Sequence, residues 1–336
     1  MTKSKAAQRV PPEVDQAVRG ILSRVGALSN LGPLAALLAA VVYFSFQSDR
    51  FLTGSNLSLI AQQVIVVGTL AVGQTLIILT AGIDLSIGAV MALGTIVMTK
   101  LAVDNHVDPF LSIALGLLAC TAFGFLNGSL VTRLRLPAFI VTLGTLNIAF
   151  ALTHIYSNEQ TVSSLPRQLT FLGETFRVGG TNITYGTIVM VAVYAITWFV
   201  LRQTAAGRHV YAVGNNAEAA RLTGIQTQRL LLLVYTLAGL IYGIAGLLLV
   251  GRTDVGDPQA GQTENLDSIT AVVLGGTSLF GGRGGVIGTL IGALIVGVFR
   301  NGLQLMGVRS IYQVLITGIL VILAVTIDQI GRRRQR

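Results

Sequence analysis

The chain has 336 residues, of which 52% are hydrophobic and 11% are charged, and its formal net charge is +9. Soluble domains carry about 25% charged residues, so a water-soluble protein of this composition would have too little polar surface to cover it. The composition therefore excludes an ordinary cytosolic enzyme and a disordered chain, and the single cysteine excludes an intrachain disulfide scaffold.

Apolar runs predict a series of membrane-spanning helices. A helix that crosses a bilayer needs about 20 apolar residues, and about ten runs approach this length, several of them short or interrupted by glycine. We therefore expect an all-α polytopic membrane protein with about ten transmembrane helices. The runs are Leu31–Phe46, Leu57–Thr80, Leu85–Val103, Pro109–Val131, Pro137–Tyr156, Tyr185–Leu201, Leu230–Val250, Ile269–Phe280, Val286–Val298 and Ile311–Ile327.

The basic residues predict the orientation of the chain. When the spans alternate and both termini are cytoplasmic, 16 of the 23 Lys and Arg residues fall on the inner side, as the positive-inside rule requires. This threading gives a cytoplasmic tail at 1–30, a transmembrane domain at 31–327 with an inner loop at about 202–229, and a basic cytoplasmic tail at 328–336. Anionic membrane lipids can balance the positive charge, so it requires no nucleic-acid partner.

Glycines at a regular spacing predict close helix packing. Gly284, Gly288 and Gly292 recur every four residues, which would place them in one stripe on one helix. Because small residues let membrane helices approach closely, we interpret this stripe as a packing surface.

A short repeat at an offset of 200 residues is compatible with duplicated halves, which are common in transporters. If the halves are duplicated, the transport path is expected between them. The repeat pairs Leu79, Gly82, Ile87 and Gly88 with Leu279, Gly282, Ile287 and Gly288.

The sequence lacks the motifs of a nucleotide-hydrolysing or metal-dependent enzyme. Lysine occurs only at positions 3, 5 and 100, so the chain has no P-loop. The glycine-rich run at 281–285 meets Ile287 where a dinucleotide fingerprint needs its last glycine. The three histidines lie far apart, with no Cys or carboxylate at ligand spacing. We expect no enzyme activity, no metal site and no cofactor in this chain.

Asp84 is the acidic residue that falls among the apolar runs of the first half. It can cap the helix that follows, because a carboxylate accepts the first free amide hydrogens of a helix. It can equally line a transport pathway, since ionisable residues at membrane depth mark such pathways. Neutral polar residues are more numerous in the spans and favour a hydroxyl-rich, neutral solute. The pathway candidates are Asp84, Ser86, Gln74 and Asn147.

The inner loop contains a short predicted helix. Residues 218–222, Glu-Ala-Ala-Arg-Leu, favour a helix, Asn215 or Asn216 can cap it, and Gly224 can end it. Such a helix under the membrane suits contact with another protein, although a simple connector would have a similar composition.

Three stretches in a fixed order carry a family resemblance: Leu79–Gly88, Gly207–Ile225 and Ala271–Gly285. In the second stretch, Glu-Ala-Ala at 218–220 is followed three residues later by Gly224. Together they resemble the permeases of ATP-binding-cassette (ABC) importers, in the ribose and simple-sugar branch that is akin to the branched-chain amino acid permeases. The similarity spans roughly residues 50–328, and the Leu-Pro pair that often follows this coupling motif is missing.

The resemblance implies a permease subunit that carries a monosaccharide, such as ribose, across the bacterial inner membrane. It implies a second permease subunit, as a homodimer or heterodimer, and a periplasmic or extracellular sugar-binding protein facing the outer loops at 157–184 and 251–267. It also implies a cytoplasmic ABC ATPase that binds ATP and Mg. The residues that would couple to this ATPase are Asn215, Glu218, Ala219, Ala220 and Gly224.

An ion-coupled secondary transporter or a channel for a small polar solute is the alternative. Such a protein would work alone, with Asp84 as its titrating group. The two hypotheses differ in their need for a separate ATPase, because this chain has no P-loop of its own.

Overall fold

The computed structural model describes residues 32–316 except Gly180, together with residues 318, 319, 322 and 326. The predicted cytoplasmic tails at 1–30 and 328–336 lie outside the described residues, as does most of the last predicted span beyond residue 316.

The described part of the chain is mostly α-helical, as predicted. A 3₁₀ turn (Phe171–Gly173) follows α6, and strand β1 (Thr175–Val178) pairs antiparallel with β2 (Thr181–Thr184). Residues 310–316 are also helical. The helices are α1 (Gly32–Gln47), α2 (Gly54–Leu79), α3 (Ile87–Val103), α4 (Pro109–Arg133), α5 (Ala138–Ser157), α6 (Arg167–Thr170), α7 (Tyr185–Gln203), α8 (Ala205–Asn215), α9 (Ala217–Leu222), α10 (Thr227–Thr253), α11 (Glu264–Leu274) and α12 (Val286–Leu305).

Six helices of the described residues are long and apolar enough to cross a membrane: α2, α4, α5, α7, α10 and α12. Helices α1 and α3 are shorter apolar helices. The predicted span Ile269–Phe280 is wrong in its bounds, because α11 begins at Glu264 and ends at Leu274, just before Gly275 and Gly276. The larger count of about ten spans stays a prediction.

Helix α2 is the centre of the helical bundle. In its most apolar stretch 89% of the residues are buried, compared with 22% in α4, which lies at the periphery. Helices α7, α10, α11 and α12 all pack against α2. The hydroxyl of Tyr194 on α7 donates to the Gly68 carbonyl at 2.9 Å, and Thr75 shares a 2.7 Å hydrogen bond with Thr289 of α12. Polar contacts therefore reinforce the packing around this helix.

Helices α11 and α12 pack with their backbones in contact. A Cβ atom at Gly288 would overlap the carbonyl oxygen of Gly275, and one at Gly292 would overlap the carbonyl oxygen of Ala271. The prediction of one helical stripe is wrong for Gly284. Helix α12 begins only at Val286, and Gly284 lies in the preceding loop with a φ of +121°.

Two groups of connections between helices bear on the site, and we name them the break end and the hairpin end. The break end comprises residues 80–86, 204–226 and 275–285. The hairpin end comprises residues 158–184 and 254–263. At the hairpin end the two segments are joined by a pair of backbone hydrogen bonds of 2.8 and 2.9 Å, at Val162 and Gly256.

The close approach of α11 and α12 generates a stability prediction. Replacing Gly288 with Leu should lower the free energy of unfolding by about 1–3 kcal/mol or more, because the added side chain meets backbone that cannot move aside. An unfolding titration in mixed detergent and SDS micelles measures this change. Gly144→Leu is the control, because a Cβ at Gly144 on α5 has open space around it. Equal stability of the two variants would contradict the packing role.

Candidate functional site

Helix α9 is a six-residue helix that is capped at both ends. Asn216, one of the two predicted caps, accepts the Ala219 amide through its side-chain oxygen at 2.9 Å. After Leu222 the Gly224 amide donates a hydrogen bond to the Arg221 carbonyl (3.0 Å), and the Ile225 amide donates one to the Ala220 carbonyl (3.2 Å). This pair of bonds is the Schellman motif, and the φ of +91° at Gly224 explains the glycine there.

Most of α9 faces outward. Ala220 is buried against the protein, whereas Leu222 is 74% exposed, an unusual position for a large apolar side chain outside the apolar bundle. Glu218 and Arg221 are exposed and form an ion pair at 2.6 Å. The hydrogen bond and charge of Arg221 lower the pKa of Glu218 below its ordinary value, so this carboxylate is ionised at neutral pH.

Asp84 lies inside the bundle, in the break between α2 and α3, and is 1% exposed. Its Oδ1 atom accepts the Ser86 amide at 2.8 Å and the Ser86 hydroxyl at 2.6 Å, and its Oδ2 atom accepts the Tyr242 hydroxyl at 3.3 Å. Ser86 is itself the residue before the first turn of α3. Asp84 therefore fixes the segment that precedes α3 and does not bind the first amides of the helix itself.

A chain of hydrogen bonds continues from Ser86 to two further helices. Asn127 of α4 donates to the Ser86 hydroxyl at 3.0 Å and accepts the Thr145 hydroxyl of α5 at 2.7 Å. All three side chains are buried. The break, α4, α5 and α10 are thus joined by one buried polar network, which we name the Asp84 network: Asp84, Ser86, Asn127, Thr145 and Tyr242.

The chain turns back into the bundle after α2. Tyr242, which binds Asp84, packs beside Gly73, six residues before the end of α2 at Leu79. Helix α11 begins beside the same break, because the Asn265 side chain donates to the Leu85 carbonyl at 2.8 Å. Two short helices, α3 and α11, therefore begin close to each other within the protein, as discontinuous helices do at transporter binding sites.

The other two pathway candidates form no hydrogen bond with the Asp84 network among the described residues. Gln74 on α2 is fully buried, and neither atom of its side-chain amide has a hydrogen-bond partner among the described residues. Asn147 lies on an exposed face of α5 and donates to its own helix at the Leu143 carbonyl, whereas Thr145 on the buried face joins the network. The structure brings Asp84 and Ser86 together and leaves Asn147 on the other side of its helix.

Two tyrosines of the site were missed in the sequence. Tyr242 binds Asp84, and Tyr235 is buried with its hydroxyl beside Gly82 and without a hydrogen-bond partner in the described part of the chain. They are seven residues apart on α10 and so share one helix face. Two phenols at this spacing in an apolar helix are a signal that could have identified them.

The three stretches that carry the family resemblance meet at the break end. The Gly282 amide donates to the Leu79 carbonyl at 3.0 Å. A Cβ at Gly214, near the end of α8, would overlap that same carbonyl oxygen. One added at Gly282 would lie 2.9 Å from the Asn215 Cα, and the Tyr211 hydroxyl donates to the Gly284 carbonyl at 3.0 Å. The segment before α9 is therefore in backbone contact with the end of α2 and the glycine-rich loop.

A match to a known protein family identifies the family of this chain. Residues 56–325 match the family model described as branched-chain amino acid transport system, permease component. The chain belongs to this permease family. It follows that the permease is a multi-pass membrane protein and a transport component, as the sequence predicted.

Three relatives show how closely the permease is matched. It is 46% identical over 303 residues to the fructose import permease protein FrcC of Rhizobium meliloti, covering 88% of this chain and 84% of that protein. It is 40% identical over 306 residues to the ribose import permease protein RbsC of Bacillus subtilis, covering 90% and 94%. It is 33% identical over 339 residues to the L-arabinose ABC transporter permease protein AraH of Azospirillum brasilense, covering 100% and 99%. These relatives disfavour the ion-coupled transporter or channel.

The Asp84 network generates a second stability prediction. Asn127→Ala should lower the free energy of unfolding of the permease by about 1–3 kcal/mol, because the substitution leaves the buried Thr145 hydroxyl and Ser86 hydroxyl without this partner. Asn147→Ala, the same change on the exposed face of α5, should alter stability by less than about 0.5 kcal/mol. Thermal unfolding of both variants in detergent measures the difference, and equal shifts would show that the network does not stabilise the bundle.

Proposed function

We propose that the permease imports a monosaccharide into the bacterial cytoplasm as the membrane subunit of an ABC importer. The observation that carries this proposal is its similarity, over most of its length, to permeases named for fructose, ribose and L-arabinose, which are all monosaccharides. ATP and Mg bind to a separate ATPase in this scheme, because the permease has no P-loop.

Helix α9 is the docking element for that ATPase. Three observations support this role: its exposed Leu222, its outward-facing Glu218–Arg221 ion pair and the caps that hold so short a helix in shape. A second protein that covers Leu222 would remove apolar surface from water, which favours binding. The coupling residues are Asn215, Glu218, Ala219, Ala220 and Gly224. We use the term coupling helix for α9 from here on.

In this scheme the segments 204–226 and 275–285 of the break end face the cytoplasm, and the hairpin end faces outward. The threading supports this orientation, because it assigns 16 of the 23 basic residues, those of both termini included, to the inner side. About ten spans with both termini inside complete the arrangement. The membrane is then the bacterial inner membrane, with anionic lipids against the basic inner surface.

A periplasmic or extracellular sugar-binding protein docks on the hairpin end. Support comes from the pairing of Val162 with Gly256, which joins its two segments. The Gln259 side chain also contacts His154, near the end of α5, at 3.1 Å. The Arg167–Glu174 ion pair, with contacts of 2.7 and 3.0 Å, holds the segment before the β-hairpin. Two loops held as one surface suit a rigid partner. A second permease subunit, identical or related, completes the importer.

The sugar passes close to the break between α2 and α3, with Asp84, Ser86 and Gln74 as the residues that bind its hydroxyl groups. The adjacent starts of α3 and α11 support this location. The unpartnered amide of Gln74 supports it too, because a buried amide without a partner costs free energy that a bound hydroxyl would offset.

The docking role of the coupling helix is tested by Glu218→Lys. The variant should fold and reach the membrane normally, because Glu218 is exposed, but it should retain the ATPase poorly and lose sugar uptake by about tenfold or more, as expected when a charge is reversed at an interface. Co-purification of the ATPase and uptake of radiolabelled sugar in membrane vesicles provide the two measurements.

Asp104→Lys is the matched control for charge reversal. Asp104 is also an exposed carboxylate in an ion pair, with the half-buried Lys100 at 3.0 Å, but it follows α3 and is not part of the coupling helix. It should leave ATPase retention unchanged. Normal ATPase retention and uptake in Glu218→Lys would refute the docking role, and uptake by the permease in vesicles free of any ATPase would refute the ABC importer.

The pathway role of Asp84 is tested by Asp84→Asn. An asparagine keeps an oxygen that can accept the Ser86 amide and hydroxyl, so the permease should fold and assemble, but the charge is lost. If Asp84 binds the sugar, uptake should fall about tenfold or more, because hydrogen bonds to charged groups contribute about 1.5–3 kcal/mol. Uptake at the normal rate, with normal expression, would show that Asp84 only stabilises the break between α2 and α3 and does not bind the sugar.

A further inference from the structure

The last residue of α2 and three glycines of the break end are in contact mainly through backbone atoms. We name this joint the glycine junction: Leu79, Gly214, Gly281 and Gly282. The Leu79 carbonyl accepts the Gly282 amide at 3.0 Å, and Gly214 lies so close to that carbonyl that a side chain would overlap it. A Cβ added at Gly281 would lie 2.6 Å from the Gly214 carbonyl oxygen. Backbone atoms of the three segments are therefore in close contact at these glycines.

Backbone contact of this kind transmits displacement with little loss. A flexible side chain at the joint could change rotamer and absorb a shift, but a carbonyl and an amide in two ordered segments cannot. Gly214 lies in the last turn of α8, two residues before Asn216, which caps the coupling helix. A shift of the coupling helix therefore acts directly on Leu79 and Gly282.

The far side of the junction leads to the Asp84 network. Leu79 is the last residue of α2, and Gly82, three residues later, is so close to Tyr235 that an added Cβ would lie 2.7 Å from its hydroxyl. Asp84, two residues after Gly82, binds Tyr242, which lies on α10 as Tyr235 does. Only four residues separate Leu79 in the junction from Asp84 in the network, and both of these residues are buried.

We infer that the glycine junction carries the movement of the coupling helix to the break at Asp84, so that Gly214 and Tyr211 are positioning residues for transport. The inference rests on the proposed ATPase docking at α9. Tyr211 belongs to the same joint, because its hydroxyl ties α8 to the glycine-rich loop through the Gly284 carbonyl. Packed elements shift between discrete arrangements. Through the glycine junction, the position of the coupling helix determines which arrangement the segment between α2 and α3 adopts.

Gly214→Ala and Tyr211→Phe test the inference in the complete importer with its ATPase and sugar-binding protein, reconstituted in vesicles. The measured quantity is the number of sugar molecules taken up per ATP hydrolysed, together with ATPase co-purification. Gly144→Ala is the matched control, since Gly144 is also a helical glycine but has open space at its Cβ.

We expect both variants to retain the ATPase and to hydrolyse ATP. Sugar uptake per ATP should fall about fivefold or more in Gly214→Ala, which is the change that loss of a typical coupling free energy produces. In Tyr211→Phe it should fall about twofold or more, as expected for one hydrogen bond. Gly144→Ala should match the unaltered permease. If Gly214→Ala does not fold, Tyr211→Phe decides the question.

An unchanged ratio in the variants would overturn the inference, as would a parallel fall in uptake and hydrolysis, which would make the junction a static anchor. The proposed function fails on a different result, namely normal ATPase retention and uptake in Glu218→Lys. The two failures are therefore distinguishable in the same reconstituted system.

Discussion

The end of α2 lies inside the protein, where a backbone carbonyl has no water to bind. An unpaired backbone group in such surroundings costs several kcal/mol. The Leu79 carbonyl is satisfied by the Gly282 amide, which comes from more than 200 residues further along the chain. This one hydrogen bond fixes the glycine-rich loop against α2 and leaves room beside it only for a residue without a side chain, which is Gly214. The position of α8, and of the coupling helix after it, follows from how this carbonyl is paired.

The same requirement explains the polar residues of the break. Four residues separate Leu79 from Asp84, and they turn the chain back into the bundle. Ser86, Asn127 and Tyr242 supply hydrogen bonds there, where regular helix does not. A membrane protein gains little from apolar attraction between its helices, because lipid is equally apolar. The polar network and the glycine contacts therefore hold the centre of the permease together, and both converge on the region beside the proposed path for sugar.

Much of the helical fold could be predicted from the sequence, because a long apolar run surrounded by lipid has few alternatives to a helix. The run Pro109–Val131 became α4 at Pro109–Arg133, and the caps of α9 follow from Asn216 and Gly224. The side of α5 that is buried was not predictable, because apolar residues surround the whole helix, and Asn147 accordingly lies opposite Thr145. The contacts of a glycine were not predictable either, because a residue without a side chain carries no pattern of polarity. Gly284 fits the spacing of a stripe but lies in a loop, and nothing in the sequence links Gly214 to Leu79.

Helix α9 has only six residues, and a helix so short does not form in water on its own, because the first turn is costly to nucleate. Its shape is imposed by the two caps and by burial of Ala220 against the rest of the permease. A synthetic peptide copied from residues 215–225 would therefore be unstructured, and it would compete poorly for the proposed ATPase docking. A molecule intended to block the proposed docking needs a scaffold that holds its shape, for example a macrocycle that fixes the turn that Gly224 forms in the intact chain.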